Sequence, residues 1–248
     1  MAVDHLDLEV RHGEVFGLLG RNGAGKTTTT KMLITILEPS EGTAVGAGCD
    51  IRAEPARVRR VIGYVPQLLS ADGSLTAWEN LIVFARLYHV PRSKRRGRVS
   101  DALTFMGLDQ AAHTLVRDFS GGMIRRLEIA QSMLHRPAVL FLDEPTVGLD
   151  PAARRAVWDE LRHLIQREGT TLVLTTHDME EADELCDRVA IMDRGRIVLG
   201  GAPIELKARL GPDAPLDDVF IASCGEQTEM EGGFRDVART RRTISRLG

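Results

Sequence analysis

The sequence predicts an α/β fold, a mostly parallel sheet covered by helices and interrupted by an inserted all-helical subdomain at about 76–137. Three observations predict it. Apolar runs of strand length alternate with helical patterns at both ends of the chain. Between them lies a long stretch with almost no strand signal. A glycine-rich loop follows a dense apolar run and precedes a helical pattern.

Leu6, Leu8 and Val10 alternate with acidic residues, which predicts a half-buried strand ending at the turn around His12 and Gly13. Val15, Phe16, Leu18 and Leu19 form a denser run that stops at Gly20, as a buried parallel strand does. A helix is expected from about Lys26 to Leu37, closed by Pro39. Short strands with glycine turns fill the region to Gly48, and Val61–Val65 reads as another strand. Thr76 and Glu79 form a capping-box pattern at the start of the helical insert. Alternation then resumes with strand 138–142, helix 151–167, strand 171–175, helix 179–186 and strand 188–193. Within 151–167, Val157, Leu161, Leu164 and Ile165 line one face at helical spacing. A domain over 1–210 is expected, with 211–248 a polar, loosely attached extension whose tail carries five arginines from Arg235 to Arg246.

At 248 residues, 43% of them hydrophobic and 27% charged, the chain is an ordinary globular sequence with a sizeable core. A net charge of -3 argues against nucleic acid as the principal partner. Cys49, Cys186 and Cys224 are scattered and unpaired in spacing, which suits a reducing compartment and no structural metal. No signal peptide is expected from the N-terminus, and apolar runs as short as Ala138–Leu142 cannot span a bilayer. The basic stretch Arg92–Arg98 reads as a solvated face of the insert, with contact to anionic lipid headgroups as the alternative.

Chemistry enters at Gly20-Arg-Asn-Gly-Ala-Gly-Lys26-Thr27, which fits GxxxxGK[ST] between a strand and a helix. Its glycines let backbone N–H groups turn around phosphate oxygens, and the helix N-terminus adds its positive dipole. This predicts a phosphate-loop NTPase core in which Lys26 reaches the β- and γ-phosphates and the Thr27 hydroxyl binds Mg²⁺. Asp143 and Glu144 end the apolar strand before Pro145. Beside the phosphate loop, Asp143 is expected near Mg²⁺, and Glu144 near the γ-phosphate to orient and deprotonate a water. Ser120 opens the helix carrying Ile124, Leu127 and Met133, so it is either a plain N-cap or part of an anion site. His177 follows an apolar strand, and Asp150 before Pro151 is a good N-cap. Taken singly, these and Gln67 have structural explanations.

Their order and spacing resemble the ATP-binding cassette family: phosphate loop, Gln67, Ser-Gly-Gly at 120–122, Asp143-Glu144, Gly-Leu-Asp150 and His177. The similarity runs from about Val3 to Leu210. Phe119–Ala130 and Leu-Asp-Asp-Val-Phe at 216–220 look most like the daunorubicin-type drug-export and antibiotic-resistance branch. The resemblance implies an ATP-hydrolysing subunit that exports a small molecule through a separate membrane-spanning permease, from the cytoplasmic face of the membrane. It also implies a small antiparallel β subdomain, incomplete at the N-terminus, and a head-to-tail dimer with a second ATP-binding subunit. In such a dimer Gly20, Arg21, Asn22, Gly23, Ala24, Gly25, Lys26, Thr27 and Thr28 hold ATP from one side. Ser120, Gly121 and Gly122 close over the partner's γ-phosphate. Gln67 senses Mg²⁺ and the attacking water, Thr27 and Asp143 hold the metal, Asp150 links the sites, and His177 keeps water and Glu144 in line.

Two departures stand out. The motif reads Phe-Ser-Gly-Gly-Met, where Leu-Ser-Gly-Gly-Gln is commoner, although the drug-export branch often carries this methionine. Family members also usually have a strand and an adenine-stacking aromatic upstream of Val3. Stacking contributes about 1–3 kcal/mol, so weak ATP binding or poor base selectivity is expected unless His12 substitutes. Rival readings are a soluble cassette ATPase outside transport and a degenerate regulatory cassette, the latter opposed by the presence of Lys26, Asp143, Glu144 and His177.

Overall fold

The computed structural model describes residues 1–211 and 214–225. It divides into two units, one formed by Met1–Val10, Glu14–Lys26 and the chain from Thr176 on, the other by Arg11–Gly13 and Thr27–Thr175.

In the first unit, β1 (Val15–Leu19) is buried along its whole length. It pairs in parallel with β7 (Arg188–Asp193), Phe16 opposite Arg188 and Leu19 opposite Ile191. A strand buried on both faces has no polar side to show, which is why both segments read as apolar runs. β8 (Arg196–Gly201) pairs antiparallel with β7 across the two-residue turn Arg194-Gly195. Both turn residues have positive φ, the geometry that matches the twist of a tight hairpin. α7 (Met179–Leu185) starts at Asp178, whose side chain accepts from the Glu180 and Glu181 N–H groups. α8 (Pro203–Ala208) and α9 (Leu216–Gly225) complete the unit. Leu216, Val219 and Ala222 are buried at three-residue spacing, so this part of the C-terminal extension is helix anchored by one apolar stripe. The tail arginines lie outside the described residues.

The strand expected at Leu6–Val10 does not form. The alternation survives as part-buried Leu6, Leu8 and Val10 between exposed neighbours. The segment is held instead by Asp4, whose N–H donates to the Gly195 carbonyl at 2.8 Å and whose carboxylate accepts from Arg196 Nε at 2.7 Å. Period-two patterning records which side of an extended chain faces apolar surface; it does not supply a neighbour for a ladder.

In the second unit, β4 (Ile62–Val65), β5 (Val139–Asp143) and β6 (Thr171–Thr176) lie side by side in parallel, with β5 in the middle. α1 (Lys26–Leu33) is shorter than expected. The Thr35 and Ile36 N–H groups return to the Met32 and Lys31 carbonyls, closing the helix with Thr35 at positive φ. β2 (Val45–Gly46) and β3 (Cys49–Asp50) form the small antiparallel sheet, and α2 (Pro55–Val61) precedes β4.

The insert contains α3 (Ala77–Leu87), α4 (Arg92–Phe105) and α5 (Gly121–Met133), with two short 3₁₀ turns between α4 and α5. The Thr76–Glu79 capping box is present in both directions. α6 (Pro151–Glu168) ends on Gly169 in the left-handed conformation. Among the described residues no helix is long and apolar enough to cross a membrane.

Candidate functional site

The glycine-rich loop leaves the buried end of β1 and becomes α1 at Lys26. Glycine is required here by space as well as by torsion. A Cβ on Gly20 would strike the Met192 carbonyl oxygen, and one on Gly25, at φ +110, would strike the Ala2 carbonyl. Gly23, at φ +83, has open space around it, so only its backbone conformation calls for glycine. Lys26 is 5% exposed. Its Nζ curls back over the loop, donating to the Gly20 carbonyl at 2.6 Å and to that of Arg21 at 3.4 Å. Arg21, Asn22 and Gly23 are exposed at the tip, Ala24 and Gly25 are buried, and the Ala24 N–H donates to the Arg21 carbonyl. An ammonium group ringed by carbonyl oxygens can transfer those bonds to phosphate oxygens.

At the first turn of α1, Thr27 and Thr28 are half-buried, and the Thr27 hydroxyl donates to Asp143 Oδ1 at 3.2 Å. Asp143, 2% exposed at the end of β5, accepts at the same oxygen from the Thr175 hydroxyl of β6 at 2.5 Å. Glu144 follows at φ +50, a left-handed conformation uncommon outside glycine and found at functional sites at a cost of about 1–3 kcal/mol. Its N–H donates to the Thr175 carbonyl at 3.0 Å and to the Thr175 hydroxyl at 3.2 Å. One threonine therefore holds both carboxylate residues. Tyr64 of β4 has its hydroxyl pKa pushed up to about 12, by burial first and by the Asp143 charge second.

Thr27 and Asp143 together offer hard oxygen donors, the chemistry Mg²⁺ prefers. Mg²⁺ is held with one or two carboxylates plus substrate phosphates rather than by an all-protein cage. Among the described residues no group of three or more His, Cys, Asp and Glu is placed to hold a metal.

Ser120 is exposed, and its hydroxyl accepts from the Met123 N–H at 3.3 Å, so it is the N-cap of α5. Gly122 has a packing reason of its own: a Cβ there would lie 2.8 Å from Ala153 Cβ at the start of α6. A Cβ on Gly121 would lie 3.2 Å from a Leu149 methyl. Asp150 caps α6, its carboxylate accepting from the Ala152 and Ala153 N–H groups at 3.0 Å each. The Ser-Gly-Gly turn and Asp150 are thus neighbours, brought together by the close approach of α5 to α6.

Gln67 is exposed directly after β4. Its carbonyl accepts from Arg125 Nη2 at 2.6 Å, and that of Pro66 from Arg125 Nη1 at 2.6 Å. Arg125 and its ion-pair partner Glu128 were not singled out from the sequence. The available signal was two charges on the stripe of α5 that also carries buried Ile129. Thr175 was missed as well, because a threonine in a buried strand reads as ordinary β-branched filling. His177 is exposed immediately after β6, ahead of the Asp178 cap. His12 is exposed in its turn.

Residues 3–147 match the family model described as ABC transporter. The chain is 48% identical over 210 residues to the daunorubicin/doxorubicin resistance ATP-binding protein DrrA of Streptomyces peucetius, covering 85% of this chain and 63% of that relative, just under two thirds of its length. It is 43% identical over 239 residues to the Nod factor export ATP-binding protein I of Ralstonia nicotianae, covering 93% of this chain and 74% of that one. A solved ATP binding subunit of an ABC transporter superposes with a TM-score of 0.78 at 28% identity, over 90% of this chain and 92% of that one. A dimeric ATP-binding cassette in a post-hydrolysis state, bound to ADP and Pi, gives 0.73 at 25% identity, over 81% and 90%.

Proposed function

The chain belongs to the ABC transporter family, and from that premise we propose that it is the ATP-binding and ATP-hydrolysing subunit of an exporter. The observation that carries the reading is Asp143, held by the Thr27 hydroxyl at the start of α1 and by Thr175, with Glu144 turned into a left-handed conformation directly after it.

Lys26 and the N–H groups of Gly20–Thr28 take the phosphates. Thr27, Asp143 and the Gln67 side chain hold Mg²⁺, which neutralises charge on the β- and γ-phosphates when bound. Glu144 accepts the proton of the attacking water, and His177 keeps that water and Glu144 in line with the γ-phosphate. Ser120, Gly121 and Gly122 complete the site of a second subunit from a capped helix end, where N–H groups and the helix dipole favour an anion. Two subunits pair head to tail around ATP, hydrolysis opens the pair, and Asp150 couples the two sites. The relatives named for daunorubicin resistance and Nod factor export support a small organic molecule as cargo. A separate membrane-spanning permease carries that cargo, with this chain on its cytoplasmic side.

Phosphate release and ATP-dependent dimerisation test the reading. Glu144→Gln is expected to bind ATP, accumulate as a dimer on size-exclusion chromatography and lose turnover. Near-normal hydrolysis by that variant would sink the assignment of Glu144.

A further inference from the structure

The loop carrying Gln67 is fastened to the helix that presents Ser120, and the fastening is one buried ion pair. Arg125 is 1% exposed and Glu128 3% exposed, one turn apart on α5, with Arg125 Nη1 3.0 Å from Glu128 Oε2. Each charge reaches the loop. Arg125 donates to two successive carbonyls, Pro66 and Gln67, at 2.6 Å each. Glu128 Oε1 accepts from the Ser70 hydroxyl at 3.1 Å and from the Ser70 N–H. The clamp therefore grips 66–70 at both ends, while Gln67, Leu68 and Leu69 between the grips stay exposed.

A buried ion pair is weak evidence for stability, because desolvating two charges offsets most of their attraction. What this one supplies is directional. The planar guanidinium offers parallel N–H groups to adjacent carbonyls, which fixes the orientation of the peptide unit from which the Gln67 side chain leaves. Ser120 caps the same helix, five residues before Arg125. Resting on the ATPase reading above, we propose that Arg125 and Glu128 are positioning residues that lock the Gln67 loop and the Ser120 end of α5 into one rigid piece. A displacement of either is then a displacement of both. The glutamine acting on one nucleotide and the serine acting on the other cannot be set independently.

Arg125→Met combined with Glu128→Leu tests this in the full chain. Replacing both charges by apolar side chains avoids stranding one of them, and such replacements are often neutral or stabilising. Three readouts are taken together: hydrogen exchange at the 67–70 amides, ATP affinity and kcat. The expected result is faster exchange at 67–70 with α5 amides unchanged, unchanged ATP affinity, and a clear fall in kcat. Misplacing a catalytic group by about 1 Å costs on the order of 10²-fold, and a loosened loop is expected to lose about tenfold or more.

A loop that exchanges faster while kcat stays at the wild-type value overturns the proposal. So does a loop whose exchange does not change. Should the double variant fail to fold, Arg125→Lys carries the same readouts, since one ammonium keeps the charge but loses the planar grip on two carbonyls. Glu144→Gln serves as the control. If wild-type turnover is no higher than that of Glu144→Gln, the ATPase reading falls and this proposal with it. If Glu144→Gln is dead and the clamp variants turn over at the wild-type rate, only the clamp falls.

Discussion

Thr175→Val is the perturbation that most directly tests how the two site carboxylates are held. Valine keeps the branched shape that β6 buries and removes only the hydroxyl, which is 1% exposed with its residue. That hydroxyl donates to Asp143 at 2.5 Å and accepts from the Glu144 N–H at 3.2 Å. The second loss is softened, because the Glu144 N–H also donates to the Thr175 carbonyl at 3.0 Å. The first is not, because Asp143 is left with the longer 3.2 Å bond from Thr27. A hydrogen bond to a charged acceptor contributes about 1.5–3 kcal/mol, so a loss of about 2 kcal/mol is expected. For a chain of this size that is a drop of roughly 4–8 °C in melting temperature. Turnover should fall about tenfold if a freed Asp143 costs about 1.4 kcal/mol in the transition state. Thermal melts followed by circular dichroism and a phosphate-release assay measure both. Thr175→Ser, which keeps the hydroxyl, should recover most of each. If Thr175→Val melts and turns over as the wild type does, the hydroxyl is not what holds Asp143.

Three further expectations follow from the same geometry. Lys26→Ala should weaken ATP binding on the order of ten- to a hundredfold by titration, since each charge-assisted bond to phosphate is worth about 1.5–3 kcal/mol. Gly122→Ala sets the 2.8 Å Cβ contact with Ala153 against better helix propensity. Overpacking costs about 1–3 kcal/mol and the propensity gain is about 1, so urea unfolding should show a net loss of up to about 2 kcal/mol; a stabilised variant would contradict the close approach of α5 to α6. His135 stacks on Tyr88 with ring centroids 4.0 Å apart, and burial, only partly opposed by its bond to the Ile62 carbonyl, holds its pKa below the ordinary 6.5. The stabilisation from keeping it neutral is present above pH 6.5 and is lost as pH falls below that value toward the depressed folded pKa. His135→Gln should therefore lose less melting temperature on acidification than the wild type.

The parts of the site that were legible in the sequence are those whose chemistry is local. Gly20–Thr27 announces itself because a phosphate cradle is built from consecutive backbone groups, and glycine is the residue that permits it. Ser120 and Asp150 were readable as N-caps because a cap is a contract between residues two or three apart. The parallel strands were readable because burial on both faces leaves an apolar run with no alternation to mistake. The hairpin partner β8 was missed, since its Arg194-Gly195 turn lacks the usual Asn-Gly signal and its burial is only partial.

What stayed hidden depends on chain crossings that no spacing rule encodes. Thr175 sits 32 residues from Asp143 in sequence, and their meeting follows from the parallel register in which Asp143 faces Thr175 across β5 and β6. Arg125 lies 58 residues from Gln67, and at 1% exposure its charge is met by carbonyls of that loop and by the counter-charge of Glu128. Both cases invert the usual reading of a buried polar residue. A threonine in a strand and an arginine on a core-facing stripe look like filler or a misfit until their partners are known. Since a buried charge persists only where it finds partners, Arg125 and Glu128 one turn apart on a core-facing stripe were the sequence signal that polar groups lay opposite them.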